Sequence, residues 1–521
     1  MIQADIIIPI GQLLERNKKV YGAKVAWRDV RQQITYGQLD VQTKNLAGHF
    51  LSLGITPGQS IAVYLPNSVP WIISALAIAR AGFVCVPIFF DASPAEVAYR
   101  ISDANCVAVI TLSDRYQSLQ HIALQESLSF RNILVGEDSL QNLLHVDFFD
   151  QLITTQPEKN APDQTDIDCL AFIVYTSGTT GKAKGVMLNV RSLLWVVGSC
   201  LIPVFGLHED DDVVSPLPLF HSYALAFSVL GILATGSSEY IMERYSSSEL
   251  LQLIQENDFT VLPGVPTMFH YLLEGAKKEL ISSLKNIRLG LSAGAILPAK
   301  LNQEFEEYFG IKLLDGYGIT ETATFVTLNS PVSTRIFGSC GIPIPGQAVR
   351  IIDPVTFLDT PAGKEGELIV RGPNLMMGYH NKPAETAVAL KNGWYHTGDL
   401  AIFDMNGFIT ITGRLKELII RGGQNIAPIE IEEAVKLNPE VLDCAAVGLP
   451  DKYLGEVPVI FVVARDGNHP TQETIIRDCK NYLSDYKIPK HVYFVDVIPR
   501  TGSGKIMRFK LIEKMPNSAA S

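Results

Sequence analysis

The sequence predicts an α/β protein of more than one domain: a large N-terminal region of αβ layers, a stretch of antiparallel strands, and a small α+β unit at the end. Three observations predict it. At 521 residues the chain exceeds what one compact core serves, so at least two domains are expected. Hydrophobic residues make up 47% and charged residues 19%, enough apolar surface for large cores and too little charge for a disordered chain. Short β-branched runs also alternate with helical patterns, the order that builds βαβ units around a parallel sheet covered on both faces.

Residues 60–65 read as a buried strand, 71–81 as a helix, 84–87 as the next strand and 107–110 as another. The pattern recurs at 260–262, 287–291 and 312–314. The texture changes after about residue 330. Strands at 349–353, 366–370 and 407–411, separated by Gly, Pro and Asp turns, suggest antiparallel sheet or a small distorted β-barrel. After Arg414 come a helix at 429–437, strands at 444–448 and 457–464, and a helix near 473–484.

A net charge of −11 disfavours general nucleic-acid binding, which needs clustered Lys and Arg, so no nucleic-acid partner is expected. Cys85, Cys106, Cys169, Cys200, Cys340, Cys444 and Cys479 are scattered and form no Cys-x-x-Cys pair. That argues against a disulfide scaffold or structural zinc and fits reduced thiols in a cytoplasmic protein. The apolar piece 6–10 is too short for a signal h-region. Two longer apolar stretches are interrupted: 69–90 by Arg80, Gly82 and Pro87, and 217–233 by Pro218 and His221. Buried helix and strand, with no membrane span, is the expectation.

Residues 175–186 read Tyr-Thr-Ser-Gly-Thr-Thr-Gly-Lys-Ala-Lys-Gly-Val, after the apolar strand 170–174 and before a helical stretch. Glycines let backbone N–H groups approach phosphate oxygens, hydroxyls add donors, and Lys182 and Lys184 add charge. The pattern G-x-x-x-x-G-K-[ST] fails, because Ala183 follows Gly181-Lys182 and Thr176 stands at the earlier glycine position. This is not a Walker ATPase loop.

Further segments follow in order. They are Pro218-Leu219-Phe220-His221-Ser222-Tyr223, Ser292-Ala293-Gly294-Ala295, Asp315-Gly316-Tyr317-Gly318-Ile319-Thr320-Glu321-Thr322 and Tyr395-His396-Thr397-Gly398-Asp399-Leu400. Then come Gly413-Arg414-Leu415-Lys416-Glu417, Arg421-Gly422-Gly423-Gln424-Asn425 and Pro499-Arg500-Thr501-Gly502-Ser503-Gly504-Lys505. In order and spacing, over about residues 20–512, the chain resembles the adenylate-forming superfamily of acyl-CoA synthetases, standalone adenylation enzymes and firefly-type luciferases. In its motifs it is most similar to acyl- or aryl-CoA ligases.

The resemblance implies domains at 1–413 and 417–521, with a hinge at 414–416 and a mobile C-terminal domain. It implies that Thr176, Ser177, Gly178, Thr179, Thr180 and Lys184 wrap phosphates of ATP; many members have Pro where this chain has Ala183. Asp399 would accept both ribose hydroxyls, as a carboxylate can, with Arg414 nearby. Gly294, Ala295, Gly316 and Tyr317 would flank the adenine, with Asp315 near its amine. Thr320 would touch the α-phosphate and Glu321 hold Mg²⁺, a cation that prefers oxygen ligands. His221 is either a core histidine or a residue that guides the acyl carboxylate or closes the pocket. Lys505 would aim its ammonium at the oxygens shared by carboxylate and α-phosphate, where charge builds. Lys416 would be the hinge, and Gly422 and Gly423 would leave a thin pantetheine path.

The activity implied is ATP-dependent formation of an acyl-adenylate, then transfer to CoA. Loading of a carrier-protein phosphopantetheine is the alternative, with an acyl carrier protein as partner. A non-enzymatic binder is disfavoured by Thr320, Glu321, Asp399 and Lys505. Amino-acid-activating members carry Asp just after the start of the second motif; His221-Ser222 stands here, which disfavours an α-amino acid. Tyr223, Ser292, Ala293, Gly318 and an expected strand at 322–326 would line a pocket that suits an aryl or fatty acyl chain better than a dicarboxylate. A monomer or homodimer is expected.

Overall fold

A computed structural model describes residues 1–136, 145–176, 183–422, 424–451, 453–501 and 504–513. The chain divides into two compact units. One comprises Met1–Arg335, Gly341–Ala348 and Arg371–Tyr395, and the other Ile336–Cys340, Val349–Val370 and His396–Ser521.

The first unit holds two large sheets. In one, the strands run in the order Gly378–Tyr379, Lys184–Asn189, Leu170–Thr176, Val84–Pro87, Ser60–Tyr64, Cys106–Leu112, Arg131–Val135, Val146–Phe148. The last six are parallel. Ser60–Tyr64 is buried at every position, which is why it reads as a continuous apolar run without alternation. The helix that follows, Val69–Arg80, is buried throughout. Its Arg80, 1% exposed, is tolerated there because its guanidinium meets Asp163 at 2.8 Å, Asp40 at 3.3 Å and the Thr43 hydroxyl at 2.7 Å.

The other sheet has nine strands in the order Ile342–Pro343, Thr327–Leu328, Lys312–Tyr317, Leu289–Ser292, Val261–Gly264, Asp212–Ser215, Ser238–Ile241, Val25–Arg28, Gln33–Thr35. Its six central strands are parallel. Residues 217–233 pack as short turns of helix, Ser222–Ala224 and Leu225–Gly231 among them, inside the core. Among the described residues no helix is long and apolar enough to cross a membrane. All seven cysteines are free thiols, six of them buried.

Three local expectations are corrected. The stretch after residue 183 is a strand, Lys184–Asn189, and the helix Val190–Val196 begins only after it. Lys184–Asn189 folds back on Leu170–Thr176 as an antiparallel hairpin, with Thr176 opposite Lys184. Residues 322–326 are not a strand: a 3₁₀ turn, Thr320–Thr322, is followed by Ala323 at φ +50° and Thr324 at φ +105°, and pairing is confined to Thr327–Leu328. The last expected helix is shorter, Gln472–Cys479.

In the second unit, Ala348–Ile352, Gly366–Arg371, Trp394–Phe403 and Ile409–Arg414 are neighbours in one sheet, the last two antiparallel. A second sheet runs Gln424–Ile426, Ile419–Arg421, Gly455–Ala464, Val441–Asp451, with His491–Phe494 alongside Gly455–Ala464. The helices Pro428–Lys436 and Gln472–Cys479 pack on it, contributing Ile431, Val435, Ile475 and Cys479 to its core.

Candidate adenylation site

In the first unit, Thr176 and Lys184 end the two strands of the hairpin, and the helix Pro94–Asp103 braces both. That helix starts at Ser93, whose hydroxyl and the Glu96 carboxylate form a capping box. The Tyr99 hydroxyl donates to the Ala183 carbonyl at 2.9 Å, and the Tyr175 hydroxyl donates to Asp103 at 2.7 Å. Ser177, Gly178, Thr179 and Thr180, with Gly181 and Lys182, lie outside the described residues.

Thr320 and Glu321 sit on the 3₁₀ turn. The Thr320 hydroxyl lies 3.1 Å from that of Ser222. Beside Ser222, His221 caps its short helix: Nδ1 accepts from the Tyr223 N–H at 3.2 Å, which leaves the ring proton on Nε2. Consecutive positive φ angles at Ala323 and Thr324 strain the turn. Asn374, wholly buried, donates through Nδ2 to the carbonyls of Thr322 at 2.8 Å and Phe325 at 3.1 Å. The Met376 N–H donates to the Glu321 carbonyl at 2.8 Å. Tyr379 completes this clamp. Its hydroxyl donates to Glu321 Oε1 at 2.9 Å and lies 3.3 Å from the Tyr395 hydroxyl, while the Lys184 ammonium stands 4.8 Å over its ring. Burial pushes both phenols above their ordinary range, so each keeps its proton. Asn374 and Tyr379 have no role in the reading of the sequence, and Tyr395 enters it only as the start of a motif.

Ser292 and Asp315 are register partners on adjacent strands. Burial pushes the Asp315 carboxyl well above the usual range, which favours its neutral form. The Ser292 hydroxyl is buried and has no hydrogen-bond partner among the described residues. Gly294 takes φ +86°, so its need is conformational: an added Cβ would meet only Val265, at 3.6 Å. Gly318 is required for space, since a Cβ there would lie 1.2 Å from the Thr324 carbonyl oxygen. Gly316 is crowded by Leu328 and Phe325, Tyr317 is half-buried and Ala295 is exposed. Ala293 is buried, and Tyr223 packs edge-on to Phe227 and Phe325 with its hydroxyl donating to the Leu291 carbonyl at 2.9 Å.

In the second unit, Asp399 and Arg414 face each other across paired strands, and Arg414 Nε meets Asp399 Oδ1 at 2.8 Å. Asp399 is 2% exposed. Glu367 holds the approach to it, accepting from Gly398 N–H at 3.2 Å and lying 3.0 Å from His396 Nδ1. Lys416 is exposed on a turn closed by the Glu417 N–H donating to the Arg414 carbonyl at 3.1 Å. Gly422 has φ +57° and donates to the Leu454 carbonyl at 2.7 Å; Gly423 lies outside the described residues. Lys505 sits on a tight turn. Thr501 N–H donates to the Lys505 carbonyl at 2.7 Å, and Lys505 N–H donates to the Thr501 hydroxyl at 3.1 Å. Arg500 ties this turn down, reaching the Gly504 carbonyl at 3.0 Å and Asp443 at 2.8 Å.

Residues 14–380 match the model of the AMP-binding enzyme family, and residues 430–505 match that of the AMP-binding enzyme C-terminal domain. The chain belongs to the AMP-binding enzyme family. It is 31% identical to the long-chain-fatty-acid–CoA ligase of Escherichia coli O157:H7, over 98% of this chain and 95% of the relative. It is 31% identical to the feruloyl-CoA synthase of Amycolatopsis sp, over 91% and 92%. The structure of the o-succinylbenzoate CoA synthetase of Bacillus subtilis with its acyl-adenylate superposes with a TM-score of 0.84 at 27% identity, covering 97% of this chain and 98% of that one.

This chain is an AMP-forming acid–thiol ligase. ATP and a carboxylic acid give an acyl-adenylate and pyrophosphate, and the acyl group then passes to CoA; ATP, Mg²⁺ and CoA are the cofactors. The residues fit such a metal. Among the described residues no three His, Cys, Asp or Glu side chains cluster as a protein-only cage; a magnesium carried on phosphates needs only one or two carboxylates, and the Glu321 carboxylate stands on the same turn as the Thr320 hydroxyl.

Proposed function

We propose that this ligase activates an aryl or fatty acid lacking an α-amino group, and that Lys184, Thr320, Glu321, Asp399, Arg414 and Lys505 carry the adenylation. The observation that carries the reading is the continuous set of contacts in the first unit, from Lys184 through Tyr379 to Glu321, and from Thr320 to Ser222 beside His221. One strained turn thereby presents a hydroxyl and a carboxylate beside a strand end that bears an ammonium. Phosphoryl chemistry asks the protein mainly for such positioning and charge.

In the first half-reaction a carboxylate oxygen bonds to the α-phosphorus, and the bond to the bridging oxygen breaks, leaving pyrophosphate with the electron pair. Mg²⁺, when bound, offsets the phosphate charge. Lys184 meets phosphate oxygens and Thr320 donates to the α-phosphate. Asp399 accepts from the ribose hydroxyls while Arg414 holds its carboxylate in place. Lys505 offers its ammonium to the oxygens where charge accumulates. His221, with its proton on Nε2, donates toward the acyl carboxylate. In the second half-reaction the CoA thiol displaces AMP, its proton leaving with the departing phosphate or to solvent. A change of backbone at Lys416 withdraws Lys505, and Gly422 borders the pantetheine path.

The surroundings of Tyr223 support the acid class. Phe227 and Phe325 pack edge-on to Tyr223, apolar surroundings that suit an aryl or alkyl group better than a second carboxylate. ATP–pyrophosphate exchange over fatty, aryl, dicarboxylic and amino acids tests this, followed by detection of acyl-CoA. Exchange driven best by an amino acid sinks the substrate reading. Pyrophosphate release with acyl transfer to a carrier protein and none to CoA sinks the acceptor.

A further inference from the structure

Residues 374–380 form a strap that binds both the Glu321 turn and the hairpin that carries Lys184. Asn374 and the Met376 N–H bind the turn. The Met377 N–H donates to the Met187 carbonyl at 2.9 Å, Gly378 and Tyr379 pair with Met187 and Val186, and the His380 N–H donates to the Gly185 carbonyl at 2.8 Å. Tyr379 is the one side chain in the strap that reaches both at once, with Glu321 Oε1 at its hydroxyl and the Lys184 ammonium over its ring.

We propose that Tyr379 is a positioning residue for adenylation, fixing the Glu321 carboxylate with its hydroxyl and the Lys184 ammonium with its ring. A hydrogen bond on Oε1 stops the carboxylate rotating and turns its remaining lone pairs in one direction, as a cation carried on phosphates requires. The ring carries the ammonium 4.8 Å from its centroid, so one side chain positions both charges. Tyr395, 3.3 Å from the hydroxyl, restricts where that hydroxyl sits. The inference rests on the reading of Glu321 as the metal carboxylate.

The two functions of the side chain separate by substitution. Tyr379→Phe keeps the ring and removes the hydroxyl. It is expected to raise the free Mg²⁺ needed for half-maximal ATP–pyrophosphate exchange about tenfold, the scale of one hydrogen bond to a charged group. The ATP requirement at saturating Mg²⁺ should change by less than about twofold, because the ring under Lys184 remains. Tyr379→Leu should raise both. Without turnover, Mn²⁺ binding to the enzyme with a non-hydrolysable ATP analogue, read by electron paramagnetic resonance, should weaken by the same factor in Tyr379→Phe. Thioester formation from supplied acyl-adenylate and CoA should be unchanged. Wild-type Mg²⁺ dependence and Mn²⁺ binding in Tyr379→Phe overturn the proposal, as does an equal loss in both half-reactions. Glu321→Gln is the control: wild-type metal dependence in that variant overturns the metal reading beneath it.

Discussion

The turn that carries Glu321 and the turn that carries Lys505 are held in different ways. Glu321 lies on a strained backbone locked by hydrogen bonds from buried neutral donors: Asn374 to two carbonyls, Met376 N–H to a third, and the Tyr379 hydroxyl to the carboxylate. Lys505 lies on a half-exposed turn held by ion pairs. Arg500 meets Asp443 at 2.8 Å, and past the turn Arg508 meets Glu417 at 3.1 Å. A buried neutral donor has no alternative partner when its acceptor is lost, so the first arrangement is all-or-none. An ion pair reached by water and salt is worth less and exchanges readily. A group that must hold a nucleotide through the reaction suits the first kind of support. In the proposed mechanism Lys505 serves one half-reaction only, which suits the second.

The largest expected effect separates the two turns by step. Lys505→Ala should slow acyl-adenylate formation by about a hundredfold to a thousandfold, the range for losing one donor aimed at developing charge. Thioester formation from supplied acyl-adenylate should be unaffected. Equal losses in both steps, with the fold intact, would remove Lys505 from its assigned role.

Asn374→Ala tests the buried lock. Two buried carbonyls lose their donor at once, so a destabilisation of about 2 to 4 kcal/mol is expected, with a matching fall in melting temperature. Adenylation should fall as the strained turn relaxes. A variant as stable as the parent would show that the carbonyls find other partners, and the all-or-none description of this turn would not survive.

What was legible in the sequence follows the same division. Asp399 and Arg414 lie on neighbouring strands, close in sequence, and their motifs announce them. The Lys505 turn is built from its own residues and was equally readable. Asn374 and Tyr379 act on residues far back in the chain, and nothing local marks them. The strand Lys184–Asn189 was read as the approach to a helix, because one of its partners, Gly378–Tyr379, is supplied from a distant segment. The left-handed backbone at Ala323 and Thr324 is invisible in residues that are neither Gly nor Asn, and residues 322–326 read as a strand for that reason. The parallel cores needed no such information, since continuous apolar runs such as Ser60–Tyr64 state their own burial.

A third prediction extends the contrast to a buried acid outside the site. Glu239 is wholly buried on the strand Ser238–Ile241, near the hydroxyls of Ser215 and Ser228. Burial raises its carboxyl well above the ordinary 4.5, and the two hydroxyls lower it only in part. The folded chain therefore keeps a proton that the unfolded chain releases. The resulting stability is complete below about pH 4.5 and is lost as pH rises toward the folded value, by up to about 1.4 kcal/mol per unit. Glu239→Gln removes this dependence. The variant should be the more stable of the two at pH 8, with the difference closing near pH 4. Denaturant midpoints over that range decide it, and parallel curves would refute the assignment.

The smallest effect is expected at Arg500. Its guanidinium makes a two-point contact with Asp443 and reaches the Gly504 carbonyl from the other arm. Arg500→Lys keeps the charge but cannot span both, so the Lys505 turn loses one tie and keeps its own backbone hydrogen bonds. Adenylation should fall by no more than about fivefold, since partly exposed pairs are worth about 1 kcal/mol or less. Salt makes the test specific. The Debye length drops from about 10 Å at 0.1 M toward 3 Å at 1 M, which weakens the pair in the parent and leaves the variant with less to lose. The parent-to-variant ratio of adenylation rates should therefore shrink toward one as salt is raised, while the ratio for thioester formation stays flat. A ratio that holds steady across salt would mean that Arg500 supports the turn as a buried group does, and the two turns would then be built alike.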